Sequence, residues 1–153
     1  MSDELTIAIS IPSDDDGYIL LQCPHCTSFF KATATDIEDE GILELYCPSC
    51  GLSDTNFLTE DVVKLANTKA QNFANNVVNK YLKKMEKEFK NSPMKFNIKD
   101  SSKNEYESPI TSGIDTLEIV SFPCCVRSAK IKPLLKITGC YCPFCGVKNY
   151  EIE

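Results

Sequence analysis

The chain has 153 residues, 42% of them hydrophobic and 25% charged, with a formal charge of −6. That describes a folded domain or two small ones, and excludes a low-complexity or collagen-like chain. No apolar run approaches the roughly 18 residues of a membrane span, and the acidic start MSDELTIAISIPSDDDG lacks the basic region of a secretory signal. A cytoplasmic protein without membrane contact is the expectation. The charge is split: residues 1–61 hold thirteen acids and one base, Lys31, whereas residues 62–153 hold nine acids and fifteen bases. Phosphate binding needs a positive surface, so any nucleic-acid contact is expected in the second half.

Tyr18 to Gln22 reads as a strand running into Cys23-Pro-His-Cys26, and Cys47-Pro-Ser-Cys50-Gly51 follows after twenty residues. A CxxC turn offers two thiolates on one side of a tight loop, and two such turns joined by a hairpin close a tetrahedral four-sulfur zinc site. Cysteines in a chain without a secretion signal are expected to be reduced, so disulfides are the weaker default. Cys-Pro-His-Cys also serves thiol–disulfide exchange, but there it opens a helix. Here Thr27 to Thr33 has strand character, and His25 is expected to face solvent. Phe29–Thr35 and Ile42–Tyr46 are the expected hairpin strands, giving a three-stranded unit. Asp14-Asp15-Asp16 is an acidic loop, with a divalent cation as the alternative occupant.

Thr59-Glu60-Asp61 has the form of a helix start, and no Gly or Pro occurs from there until Pro93. At 100° per residue, Val62, Val63, Ala66, Ala70, Phe73, Ala74, Val77, Val78, Tyr81, Leu82, Met85 and Phe89 share one broad arc. Two small metal-stabilised units cannot easily cover so long a face, so self-association through residues 60–90 is an expectation. Lys80, Lys83, Lys84, Lys87 and Lys90 form a stripe on the opposite side. It is either a solvated face or a ridge that tracks phosphates.

Met94 to Lys99 alternates like a strand, and residues 100–113 read as a loop. Thr116–Phe122 and Ala129–Thr138 are expected strands around Cys124-Cys125, with Ile131, Leu135 and Ile137 as core candidates. Sixteen residues after Cys125 comes Cys142-Pro-Phe-Cys145-Gly146. The expected second ligand set is Cys124, Cys125, Cys142 and Cys145, with Cys140 able to replace Cys124 or Cys125. The first set is Cys23, Cys26, Cys47 and Cys50, so two zinc ions per chain are expected.

The CPHC, CPSCG and CPFCG turns resemble those of zinc ribbons in transcription factors and polymerase subunits. With the helix that follows Phe57-Leu58, the layout is similar to bacterial double zinc-ribbon proteins, over roughly residues 18–90 and 122–146. That resemblance implies a small α+β fold of two four-cysteine zinc ribbons joined by one long amphipathic helix. The expected divisions are a first ribbon at 1–58, a helical connector at 59–92 and a second ribbon domain at 93–153. Four thiolates leave no open coordination position, and His25 is the one histidine, so no enzyme is expected. The expected function is an adaptor or interaction module that docks a protein partner. The alternative is a nucleic-acid-binding regulator using the Lys stripe.

Overall fold

The computed structural model describes residues 6–93, 103–111, 113, 116–150 and 152. The expected strand at Met94–Lys99 lies outside them. The architecture is a small α+β one, with short antiparallel sheets and one long helix. The chain forms two compact units, one from Ser10–Glu60 with Ile110–Glu153 and the other from Met1–Ile9 with Asp61–Pro109.

In the first unit, β1 (Tyr18–Gln22), β2 (Phe29–Thr33), β5 (Glu118–Phe122) and β6 (Arg127–Ile131) form one antiparallel sheet in the order β1-β2-β6-β5. Both cysteine-bearing halves therefore share a sheet, and this differs from the divisions at 58/59 and 92/93 expected above. Leu21, Phe30, Val120, Phe122 and Ile131 are buried in a single core with Phe57 and Phe144. The hairpin expected between Phe29–Thr35 and Ile42–Tyr46 is not made. β2 pairs with β6 instead, and the chain leaves β2 through the one-turn helix α1 (Ala34–Ile37). The Thr33 hydroxyl caps that turn by accepting from the Asp36 amide. The run Ala129–Thr138 likewise breaks after Ile131, because Pro133, which cannot donate to a ladder, opens helix α3 (Pro133–Thr138). Ile137 is consequently 80% exposed rather than in the core. Two-residue strands β3 (Leu45–Tyr46) with β4 (Ser53–Asp54), and β7 (Cys140–Tyr141) with β8 (Lys148–Asn149), make two small ladders.

The halves are related by an approximate two-fold axis. The pairing Ile19–Ala32 in the first recurs as Glu118–Ile131 in the second, so residue n of the first sheet strands matches n + 99. Lys31 and Lys130, equivalent by that rule, sit opposite each other where β2 meets β6. From β3 onward the match is n + 95, because the second half is shorter after its strand: Tyr46–Ser53 recurs as Tyr141–Lys148. Equivalent positions are buried alike, as in Tyr18 and Leu117, Leu21 and Val120, or Phe57 and Ile152.

Acids of the first half pair with bases of the second. Asp14 Oδ2 accepts from Lys31 Nζ at 3.0 Å and Lys130 Nζ at 2.8 Å. Arg127 donates to Asp36 and Asp39 at 2.8 and 2.7 Å, so acids of the first half meet bases of the second. Lys130 also reaches Asp16 at 2.6 Å, which occupies two of the three loop aspartates with ammonium groups. Burial opposes ionisation of Asp14, but the bonds from Lys130, Tyr18 and Lys31 outweigh it and hold the carboxyl well below its ordinary range.

In the second unit, α2 (Glu60–Glu88) runs for 29 residues, close to the expected bounds. Asn72, buried, fixes the segment after residue 102 to it. Its amide oxygen accepts from the Glu105 N–H at 2.8 Å and its amide nitrogen donates to the Glu105 carbonyl at 2.9 Å. Val63, Phe73, Val77, Val78, Tyr81 and Met85 of the apolar arc remain exposed. Among the described residues no helix is long and apolar enough to cross a membrane.

Candidate metal centres

Each cysteine turn sits at the end of a strand pair. Cys23 and Cys26 lie in the β1–β2 turn, closed by the Thr27 N–H donating to the Cys23 carbonyl at 3.0 Å, with Thr27 at φ 61°. Cys47 and Cys50 lie in the β3–β4 turn, which brings Gly51 N–H to the Cys47 carbonyl at 2.8 Å. Cys142 and Cys145 repeat that turn between β7 and β8, with Gly146 N–H 2.9 Å from the Cys142 carbonyl.

The thiols converge into two groups, Cys23, Cys26, Cys47 and Cys50, and Cys124, Cys125, Cys142 and Cys145, with the four sulfurs of each within 4.8 Å of one another. Sγ–Sγ separations are 3.7 Å for Cys23–Cys50, 3.5 Å for Cys26–Cys47 and 3.6 Å for Cys124–Cys145. A tetrahedral ion with Zn–S bonds of about 2.3 Å would set its sulfurs about 3.8 Å apart, so the donor sets fit such a metal in type and spacing. In the first group, the amides of His25 and Ser49 each lie 3.4 Å from a thiol, Cys23 and Cys47 respectively, and so supply N–H donors to sulfur. Thiolates need such donors once they are taken from water.

Protonation is uneven within each group. Burial raises Cys26, yet the bonds from Ser28 and the thiols of Cys47 and Cys23 bring it down to about 6. Burial pushes Cys47 and Cys142 up, and takes Cys125 to about 11. One group of thiols thus shares few negative charges until a cation arrives to offset them.

Cys140, the alternative ligand, lies outside both groups. It is wholly buried in β7, and burial lifts its thiol to about 11. His25 points outward, 41% exposed, with Nε2 3.2 Å from Asp54. Of the lysine stripe, Lys80, Lys83, Lys84 and Lys87 line an open groove of about 1210 Å³ with Tyr81 and Lys103, whereas Lys90 is exposed but not among its walls.

The contacts absent from the sequence reading are those between the Cys47–Cys50 and Cys142–Cys145 turns. Tyr46 N–H donates to the Pro143 carbonyl at 2.9 Å, and Tyr141 N–H donates to the Pro48 carbonyl at 3.0 Å. Each tyrosine ring also covers the glycine of the opposite turn. A Cβ on Gly51 would stand 2.8 Å from the Tyr141 ring, and one on Gly146 would stand 2.9 Å from the Tyr46 ring. The signal was present as a repeated hexapeptide, Tyr46-Cys-Pro-Ser-Cys-Gly51 and Tyr141-Cys-Pro-Phe-Cys-Gly146. No family model, curated protein or solved structure matches the chain.

Proposed function

We propose that the chain is a non-enzymatic protein of the zinc-ribbon type, holding two zinc ions and acting as an interaction module that docks a protein partner. The observation that carries it is the pair of closed four-thiol groups. Four thiolates complete a tetrahedral shell and leave no position for water or substrate, which is the arrangement of structural rather than catalytic zinc. Bound thiolates also add charge: four of them and one Zn²⁺ total −2, so two filled sites take the chain from −6 to −10. Native mass spectrometry of anaerobically purified protein should give two zinc ions per chain. A metal-free protein that keeps its fold would sink the proposal.

The exposed strip Val63–Met85 on α2 supports docking through that helix, with a second copy of the chain as one occupant. Sedimentation at micromolar concentration would show a dimer that Val77→Glu/Tyr81→Glu abolishes. A second reading, nucleic-acid binding, is favoured by the lysine groove, whose walls gather five ammonium groups. It requires salt-dependent binding of DNA or RNA that Lys83→Glu/Lys87→Glu removes. If binding is absent or unchanged by those substitutions, the protein-docking reading stands ahead.

A further inference from the structure

The approximate two-fold axis makes the second metal centre interpretable residue by residue. By the n + 99 rule, Pro24 matches Pro123, Cys26 matches Cys125, and Thr27 matches Val126. Among the described residues, Thr27 and Val126 are the two non-glycine residues with positive φ, at 61° and 54°, so both turns carry a left-handed residue at the same position. Cys23 then matches Phe122, and both side chains are fully buried at 0% exposure. The second turn has no thiol at the buried first-ligand position. Its extra cysteine, Cys124, falls on the equivalent of His25, the residue that faces outward in the first turn. The neighbour changes with it: Asp54, 3.2 Å from His25, is matched under n + 95 by Asn149, whose amide nitrogen lies 3.7 Å from Cys124 Sγ. An acid suited to a histidine is replaced by a neutral donor suited to a thiolate.

We propose that Cys124 substitutes for the ligand absent at Phe122, and that this move from an inward to an outward position makes the second centre the exchangeable metal site of the chain. In the first centre Cys23 and Cys47 are buried and Cys26 and Cys50 partly so, whereas in the second both Cys124 and Cys145 are exposed. Metal loss to a competing ligand needs access to a metal–sulfur edge, and shielding of that edge controls the rate. The Cys124–Cys145 edge, 3.6 Å between sulfurs, is open to such an approach. The inference rests on the reading of both groups as zinc sites.

The test follows zinc loss from the two-zinc full-length chain in excess EDTA by native mass spectrometry. One equivalent should leave roughly tenfold or more faster than the other. Cys124→Ser should bind one zinc and lose the fast phase. Cys140→Ser should keep both ions and both phases. Phe122→Cys/Cys124→Ser should regain the second ion and release it more slowly. Two ions leaving in one phase, a Cys124→Ser protein that keeps both, or a Cys140→Ser protein that loses one would each overturn the inference. A wild-type chain that binds no metal defeats the underlying proposal as well, and so separates the two failures. Should the smaller side chain at 122 prevent folding, as circular dichroism would reveal, the wild-type phases and the Cys124→Ser stoichiometry still decide.

Discussion

Asp14 is the residue on which the first unit turns. Two lysines meet across the β2–β6 pair, with the Lys31 and Lys130 side chains only 2% and 11% exposed, and one carboxylate oxygen serves both. Asp14→Asn would leave the two ammonium groups facing each other with little counter-charge. Loss of one member of a buried pair costs about 3 kcal/mol or more, so chemical denaturation should show a fall of that order. The same contact fixes an acid limit. The folded value of Asp14 lies below its ordinary 3.8, so its contribution is fully present above that value and is lost as pH falls toward the folded one. Unfolding followed from pH 5 to pH 2 should show a decline in stability that is smaller in the Asp14→Asn protein. At Gly51 the constraint is steric: φ is 73° and the Tyr141 ring fills the space a Cβ would need. Gly51→Ala should cost about 3 kcal/mol from left-handed strain and crowding together, and Gly146→Ala a similar amount.

At the scale of elements, local chemistry and long-range pairing were unequally legible. The helix at Glu60–Glu88 could be read closely because breaker-free length and an apolar arc are local properties. β1 and the eight clustered cysteines were also legible, since a strand pattern and a cysteine spacing are written within a few residues. The partner of β2 was not. Its residues are buried on both flanks, with Phe30, Lys31 and Ala32 all at or below 1% exposure, and that marks a central strand without naming its neighbour. The neighbour is β6, almost a hundred residues away, and only the repeated hexapeptide hinted that the halves would meet. The stretches after β2 and β6 depart from the expected continuing strands because apolar residues there suit either a strand or a short amphipathic turn, and Pro133 opens a helix. In α2, Asn72 works as a side-chain substitute for a neighbouring strand, bonding both backbone groups of Glu105. Asn72→Ala should release that segment, at a cost of about 1–3 kcal/mol. Hydrogen exchange at the Glu105 amide, faster in the variant, is the direct readout.

For the molecule as a whole, the metal and the sheet are expected to stand or fall together. The thiols lie in the β1–β2, β3–β4, β5–β6 and β7–β8 turns, and the Cys47–Cys50 and Cys142–Cys145 turns bond each other through Tyr46 and Tyr141. A unit with such short ladders has a small apolar core, and metal binding supplies folding free energy directly in such cases. Complete zinc removal should therefore abolish slow exchange across all four sheet strands at once rather than in one half. An outcome in which β5 and β6 unravel while β1 and β2 stay protected would show the halves to be independent. The exposed arc of α2 belongs to the other unit, and its protection should respond to protein concentration rather than to chelator.

The single carboxylate at the two-fold axis has a consequence for ancestry and engineering. Position 113, where the n + 99 rule would put the twin of Asp14, is glycine. A fragment carrying residues 10–60 contains both Lys31 and Asp14, so two copies could join β2 to β2 with every ammonium matched. A fragment carrying residues 110–153 would set Lys130 against its own twin with glycine where the first half has Asp14. The halves share a shape, yet only the first carries an acid at the Asp14 position. Co-expressed, they should form the mixed pair, and the second half alone should stay unpaired.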